Sequence, residues 1–226
     1  MSGAMTVNRR MRAAVVALVV ALAALCPTGA GAIGAPLRLV ALGDSLTAGL
    51  GLAPAEAFPA RLEAALRERG HDVSVINAGV SGDTSAGGLA RLDWSLGGDA
   101  DGVIVELGAN DALRGISPAQ TRDNLDRLLA KLDERGVGVL LAGMLAPRNL
   151  GGDYAREFDA IFPDLAERHD VVFYPFFLDG VAMVRELNGD DGMHPSGAGV
   201  EVIVERILPS VEGLLARIEG GEGTGD

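Results

Sequence analysis

Gly102-Val-Ile-Val-Glu-Leu-Gly108 decides how this chain is read. Its β-branched apolar run, interrupted only by Glu106, predicts a strand buried on both faces, as in a parallel sheet covered by helices. Similar short runs lie on either side at regular intervals. Leu37–Leu42 and Asp72–Asn77 precede it, and Val137–Gly143 and Val171–Tyr174 follow. Five strands are therefore expected.

The segments between them carry the helical period. In Pro54–Gly70, Leu62, Ala65 and Leu66 share one face, and Gly70 is the expected stop. Ser117-Pro-Ala-Gln120 reads as a helix start, with Ser117 as N-cap, Pro118 in the first turn and Gln120 closing a capping box. Leu125, Leu128, Leu129 and Leu132 continue it as an apolar stripe that Gly136 ends. Tyr154–Arg168 predicts another helix, bent or restarted at Pro163. A last one is expected from Ser196 to Arg217, with Pro209 as a candidate break. Strands alternating with helices of this length predict an α/β fold with a mainly parallel sheet and helices on both faces.

Length and composition agree with one such domain. The chain has 226 residues, 48% of them hydrophobic, and a formal net charge of −12. Lys131 is its only lysine. An acidic surface argues against nucleic acid as a partner and against polybasic attachment to lipid. Residues 1–32 read as a separate object. Arg9, Arg10 and Arg12 precede an uncharged stretch from Ala13 to Cys26, and Ala30-Gly31-Ala32 suits signal cleavage. Processing there would take the charge from −12 to −15, remove the only cysteine, and leave no stably inserted segment. A periplasmic or secreted product is expected, with a domain over residues 33–219 and a disordered tail over 220–226; the competing readings of residues 1–32 are a retained single-pass anchor, for which the apolar run is short, and lipid attachment at Cys26, which Leu25 fits poorly. Nothing in the sequence asks for a second copy, so a monomer is expected.

In a parallel α/β sheet, ligands gather at the C-terminal ends of the strands. Ser45 follows the first strand in Gly43-Asp-Ser-Leu46. Gly79 follows the second, Asn110 the third, and Asp191 and His194 come after the fifth. A hydroxyl becomes nucleophilic when an imidazole takes its proton and a carboxylate orients that imidazole. The Asp-x-x-His spacing lets Asp191 reach one ring nitrogen of His194 while the other faces Ser45. His71 and His169 fall at the opposite end of the sheet, as expected of exposed polar residues. The Ser45 N–H, the Gly79 N–H and the Asn110 amide would form an oxyanion hole. Ser45 could equally be no more than an N-cap. Leu46, Leu113, Pro147 and Met193 lie near these blocks and are candidate apolar walls for a substrate.

Gly43-Asp-Ser-Leu46, Asn77-Ala-Gly-Val-Ser-Gly-Asp-Thr84, Gly108-x-Asn-Asp111 and Asp191-x-x-His194 together resemble the SGNH/GDSL hydrolases, block by block and in order. Residues 81–92 and 105–115 are similar to the bacterial secreted arylesterase and thioesterase–lysophospholipase group of that family. The resemblance implies a flavodoxin-like, three-layer α/β/α sandwich with five strands. It implies Ser45 as nucleophile, His194 as base, Asp191 as its partner, and Gly79 and Asn110 in the oxyanion hole. The implied activity is hydrolysis of acyl or aryl esters, thioesters or lysophospholipids through an acyl-enzyme, without metal or other cofactor. Other readings are a carbohydrate O-acetylesterase, a non-catalytic lipid- or sugar-binding module, and a metal-dependent phosphoesterase using Asp44, Asp83, Asp111 and Asp191.

Overall fold

All five expected strands form in the computed structural model, in which residues 35–221 are described. They are β1 (Leu37–Gly43), β2 (Val73–Gly79), β3 (Gly102–Glu106), β4 (Gly138–Ala142) and β5 (Val172–Tyr174). They pair in parallel in the order β2-β1-β3-β4-β5. The expected signal segment and nearly all of the expected tail lie outside the described residues. All five residues of β3 are buried, as the Val-Ile-Val run requires. The register sets Gly43 opposite both Gly79 and Glu106, so the first three strands end side by side.

The helices are α1 (Ser45–Ala48), α2 (Phe58–Glu68), α3 (Ser85–Leu96), α4 (Ala109–Leu113), α5 (Pro118–Asp133), α6 (Gly152–Asp159), α7 (Ile161–Arg168) and α8 (Gly197–Gly221). α2 and α8 pack together over one face of the sheet, and α3, α5 and α7 pack over the other. This is the three-layer α/β/α sandwich. The α5 stripe of Leu125, Leu128, Leu129 and Leu132 is wholly buried. Each such side chain contributes about 1.5–3 kcal/mol through removal from water.

Several elements differ from the sequence reading. The segment expected as one helix from Pro54 divides into a 3₁₀ turn at Pro54–Glu56 and α2. The helix expected over Tyr154–Arg168 is two helices, α6 and α7, parted at Ala160. Pro163 lies in the first turn of α7, where its missing N–H costs no intrahelical bond. Pro209, by contrast, is carried within a continuous α8. Ser117 accepts the Gln120 N–H at 3.3 Å, but the Gln120 side chain does not return the bond, so only half of the capping box forms. α3 was not legible in the sequence at all. Gly87 and Gly88 lower helix propensity there, yet each is closely packed by a neighbouring side chain. A Cβ on Gly87 would meet Asp83 Oδ1 at 2.1 Å, and one on Gly88 would meet Leu107 Cδ1 at 2.3 Å.

Candidate active site

β1 delivers Ser45 to the edge of the sheet. Asp44, not Ser45, caps α1: its Oδ1 accepts the Leu46 N–H at 2.9 Å. The Ser45 hydroxyl is therefore free of capping, and it lies 2.9 Å from His194 Nε2. The other ring nitrogen, Nδ1, lies 2.6 Å from Asp191 Oδ2. Asp191 Oδ1 also accepts the backbone N–H of Met193 (2.9 Å) and of His194 (3.0 Å). The aspartate thus orders the whole turn as well as the imidazole. These bonds hold its carboxyl far below the usual carboxylate range, the His194 N–H first, then the imidazole, then the Met193 N–H. Triad carboxylates are usually buried; Asp191 is exposed, and its grip on His194 is made by hydrogen-bond geometry rather than by a low dielectric. Asp190, its neighbour, makes no such bonds.

The two remaining histidines lie elsewhere, but they are not simply exposed. His169 Nε2 is 2.6 Å from Asp126 Oδ1 with the ring mostly covered, and His71 is 3.5 Å from Glu212. The aspartates considered for a metal are also separately engaged. Asp111 accepts from the Ser85 N–H and hydroxyl and from Thr121, Asp83 from Arg91, and Asp44 from Leu46 and Asn110. Among the described residues no group of three or more His, Cys, Asp or Glu side chains converges.

Asn110 sits in the first turn of α4, and its Nδ2 donates to Asp44 Oδ2 at 3.0 Å, which leaves one amide hydrogen over. Gly79 requires a correction. Its N–H donates to Asn77 Oδ1 at 3.0 Å, and it does not line the cavity beside Ser45. Glycine is needed there for packing, since a Cβ would lie 2.2 Å from Ala48 N. The residue that does line the cavity is Gly82, three positions later. Val80–Asp83 is a turn closed by the Asp83 N–H on Val80 O at 3.0 Å. Gly82 occupies its third position with φ +84°, whereas Ser81 has no positive φ, which defines a type II turn. In that turn the central peptide is flipped relative to type I, so the direction of the Gly82 N–H depends on glycine. Neither the Gly82 N–H nor the Ser45 N–H has a partner within the described chain. The repeat of Gly after Ser81 in the same motif was the available signal.

The cavity beside Ser45 has a volume of about 360 Å³. Leu46, Leu113, Pro147 and Met193 all line it, joined by Leu50, Met144, Leu145 and Leu178. Leu113 (52% exposed) and Met193 (50%) form an open rim, while Leu46 and Met144 are buried.

Behind Ser45 lie two buried carboxyls, Asp44 and Glu106, both 0% exposed. Glu106 Oε2 accepts from Thr47 Oγ1 at 2.8 Å and from the Asp44 N–H at 3.3 Å, and Oε1 has no partner. Burial, and then the charge of Asp44, push the Glu106 carboxyl well upward. Burial also raises Asp44, to about 6, against the bonds from Leu46 and Asn110. Glu106 is therefore the member of the pair that burial pushes most strongly toward its protonated form, and Asp44 the one that more readily bears the charge. A carboxyl whose folded pKa exceeds its unfolded one contributes stability below the unfolded value and loses it as pH rises through the folded one. Glu106→Gln should leave Tm nearly unchanged at about pH 4, below the ordinary glutamate value, where the parent side chain is protonated in both the folded and the unfolded chain. As pH is raised further, Tm of the parent protein should fall relative to the variant. Parallel Tm–pH curves would show that the fold does not favour a protonated Glu106.

A hydroxyl, an imidazole and a carboxylate in one hydrogen-bonded line, beside an apolar cavity at the C-terminal edge of a parallel sheet, define a serine hydrolase of the α/β class. The chain belongs to the GDSL-like Lipase/Acylhydrolase family, whose model matches residues 41–202. It is 40% identical to the esterase TesA of Pseudomonas aeruginosa over 178 residues, covering 78% of this chain and 89% of that one. It is 42% identical to an arylesterase of Vibrio mimicus over 159 residues, covering 70% and 80% of the two chains. Among solved structures, that of TesA is 39% identical with a TM-score of 0.74 over 78% of this chain and 99% of its own. The esterase EstA from a Pseudoalteromonas species, inhibited by monoethylphosphonate, is 30% identical with a TM-score of 0.75, over 79% and 98%. The chain is accordingly a carboxylic ester hydrolase of the serine type.

Proposed function

We propose that Ser45 is the nucleophile, His194 the general base and Asp191 the residue that orients it. The Ser45 N–H, the Gly82 N–H and Asn110 Nδ2 are the oxyanion donors. The observation that carries this reading is the continuous bond line from Asp191 through His194 to Ser45, at 2.6 and 2.9 Å. Ser45 Oγ attacks the acyl carbon as its proton passes to His194 Nε2. The carbonyl oxygen gains the charge that the three donors receive. The tetrahedral intermediate collapses when His194 returns the proton to the leaving oxygen or sulfur, leaving an acyl-serine. Water, deprotonated by the same nitrogen, attacks that ester and restores the hydroxyl.

The preferred substrates in this reading are uncharged esters with an apolar acyl or aryl group. Support comes from the apolar lining and modest volume of the cavity. The esterase and arylesterase names of the similar proteins agree with it. Another relative, from Escherichia coli, is named thioesterase 1/protease 1/lysophospholipase L1, which extends the range to thioesters and lysophospholipids. The acidic surface works against highly anionic leaving groups. Residues 1–32 support export to the periplasm or beyond. Among the described residues no helix is long and apolar enough to cross a membrane.

The acyl-length series of p-nitrophenyl esters, from acetate to dodecanoate with chelator present, tests the substrate reading. Each methylene buried in the cavity contributes about 0.8 kcal/mol, at most about four-fold in kcat/KM. The expected profile rises with length and then levels when the cavity is full. Acetylated sugars cleaved far faster than every member of the series would overturn it in favour of a carbohydrate esterase.

A further inference from the structure

The three proposed oxyanion donors come from three separate segments: the start of α1, the Val80–Asp83 turn and α4. The sheet ties only the first residue of the turn, Val80, to Gly43 O, and Asn110 reaches Asp44 through its amide; the rest of the turn, where the Gly82 N–H lies, is held by other contacts. Two arginines make the joints. Arg91, on α3, is largely buried, and each of its three guanidinium nitrogens donates. Nε bonds Asp83 Oδ2 at 2.5 Å, and Nη1 bonds Ala78 O and Ser95 Oγ, each at 2.8 Å. Nη2 bonds Gly43 O at 2.9 Å. One planar group thus spans from the carbonyl two residues before Ser45 to the side chain directly after Gly82. Gly43 O also accepts the Val80 N–H at 3.0 Å, at the first residue of the turn.

Arg114 makes the second joint. It ends α4, four residues after Asn110, and its Nη2 donates to Gly82 O at 2.6 Å. It is exposed and makes no ion pair among the described residues, although most arginines of this acidic chain do. Among the described residues its one side-chain bond is the one that ties the Asn110 helix to the Gly82 turn.

We infer that Arg91 and Arg114 are positioning residues that set the distance and orientation of the Gly82 N–H relative to Ser45 and Asn110. Arg91 fastens the turn to the nucleophile segment, and Arg114 fastens it to the Asn110 helix. Neither lines the cavity beside Ser45. A type II turn can exchange with type I by flipping its central peptide, which would carry the Gly82 N–H away from the developing charge. With the carbonyl of Gly82 and the side chain of Asp83 both held, that flip lacks room to relax. A guanidinium suits the task because its donors lie in one rigid plane. This inference rests on the proposed oxyanion roles of Gly82 and Asn110.

Arg114 gives the clean test, since it is exposed and its loss leaves the core intact. The full-length protein and the variants Arg114→Ala, Arg114→Lys, Arg91→Lys and Asn110→Ala are compared for kcat and KM on p-nitrophenyl butyrate, and for Tm. Removing one oxyanion donor costs about 10²–10³ in kcat, so Asn110→Ala should fall in that range with KM little changed. Loosening a donor costs less, and Arg114→Ala should lose about 10- to 100-fold in kcat, with KM within about two-fold and Tm unchanged. Arg114→Lys, which can still donate to Gly82 O, should recover part of the loss. Arg91→Lys keeps the charge near Asp83 but not the fork, and should lower kcat more than KM. Wild-type kcat in Arg114→Ala beside a crippled Asn110→Ala overturns the positioning role and spares the oxyanion hole. Wild-type kcat in Asn110→Ala overturns the oxyanion reading and this inference with it. A loss in Arg114→Ala accompanied by a matching fall in Tm, with no rescue by lysine, makes Arg114 a stability residue and also overturns the inference.

Discussion

Ser45→Ala should lower kcat by about 10⁴–10⁶-fold on any ester the protein cleaves, with chelator present or absent. The size follows from the chemistry the hydroxyl performs. Without Oγ no acyl-enzyme forms, and water must attack a bound ester with only the oxyanion donors to assist. That residual assistance is itself worth about 10³–10⁴ over the uncatalysed reaction, so activity should fall to a low floor rather than to nothing. Ser45 is small and 9% exposed, and its hydroxyl caps no helix, so the fold should survive unchanged. The second readout is intact mass after exposure to an organophosphonate. The parent chain should gain one adduct, and the variant none. Full kcat in Ser45→Ala, or an adduct on the variant, would place the nucleophile elsewhere.

His194→Ala comes next in size, at about 10³–10⁶-fold in kcat. Ser45 then has no acceptor for its proton and the leaving group no donor. The controls are built into the molecule. His169→Ala removes a 2.6 Å contact with Asp126 and should cost some Tm, but it should leave kcat within about two-fold, because the residue is at the other end of the sheet from Ser45. His71→Ala should do less still. A comparable kcat loss in either control, with His194→Ala active, would reverse the assignment of the base.

Much of this site could be read before any coordinates. Parallel α/β sheets collect their functional groups at one edge, and Ser45, Asn110 and the Asp191–His194 pair each stood just past a recognisable strand or in its following loop. Gly79 shows where such reading fails. Both Gly79 and Gly82 sit in Asn77-Ala-Gly-Val-Ser-Gly82, and periodicity cannot tell which of them ends the strand. Pairing with β1 carries β2 through Gly79, so the turn begins after it. α3 was hidden for a related reason: Gly87 and Gly88 look like loop residues, but they answer to close contacts with Asp83 and Leu107 that no local pattern encodes. Pro163 does mark an interruption of its helix, yet a proline restricts the turn that precedes it, so the division falls at Ala160. Glu106 appeared only as an interruption of an apolar strand. Its pairing with Asp44 depends on the β1–β3 register, which is a property of the sheet.

The line joining Asp191, His194 and Ser45 is very uneven in its reach along the chain. Asp191 and His194 settle each other within one turn, whereas the bond from His194 to Ser45 joins residues 149 positions apart. On the ribosome, at 5–20 residues per second, Ser45, the proposed nucleophile, emerges roughly 7–30 s before His194, its proposed base. Throughout that interval the growing chain carries an inert serine. On that reading, esters near the site of synthesis meet no complete line of Asp191, His194 and Ser45 until the loop after β5 has docked against the end of β1, so a finished five-stranded sheet is still an inactive one.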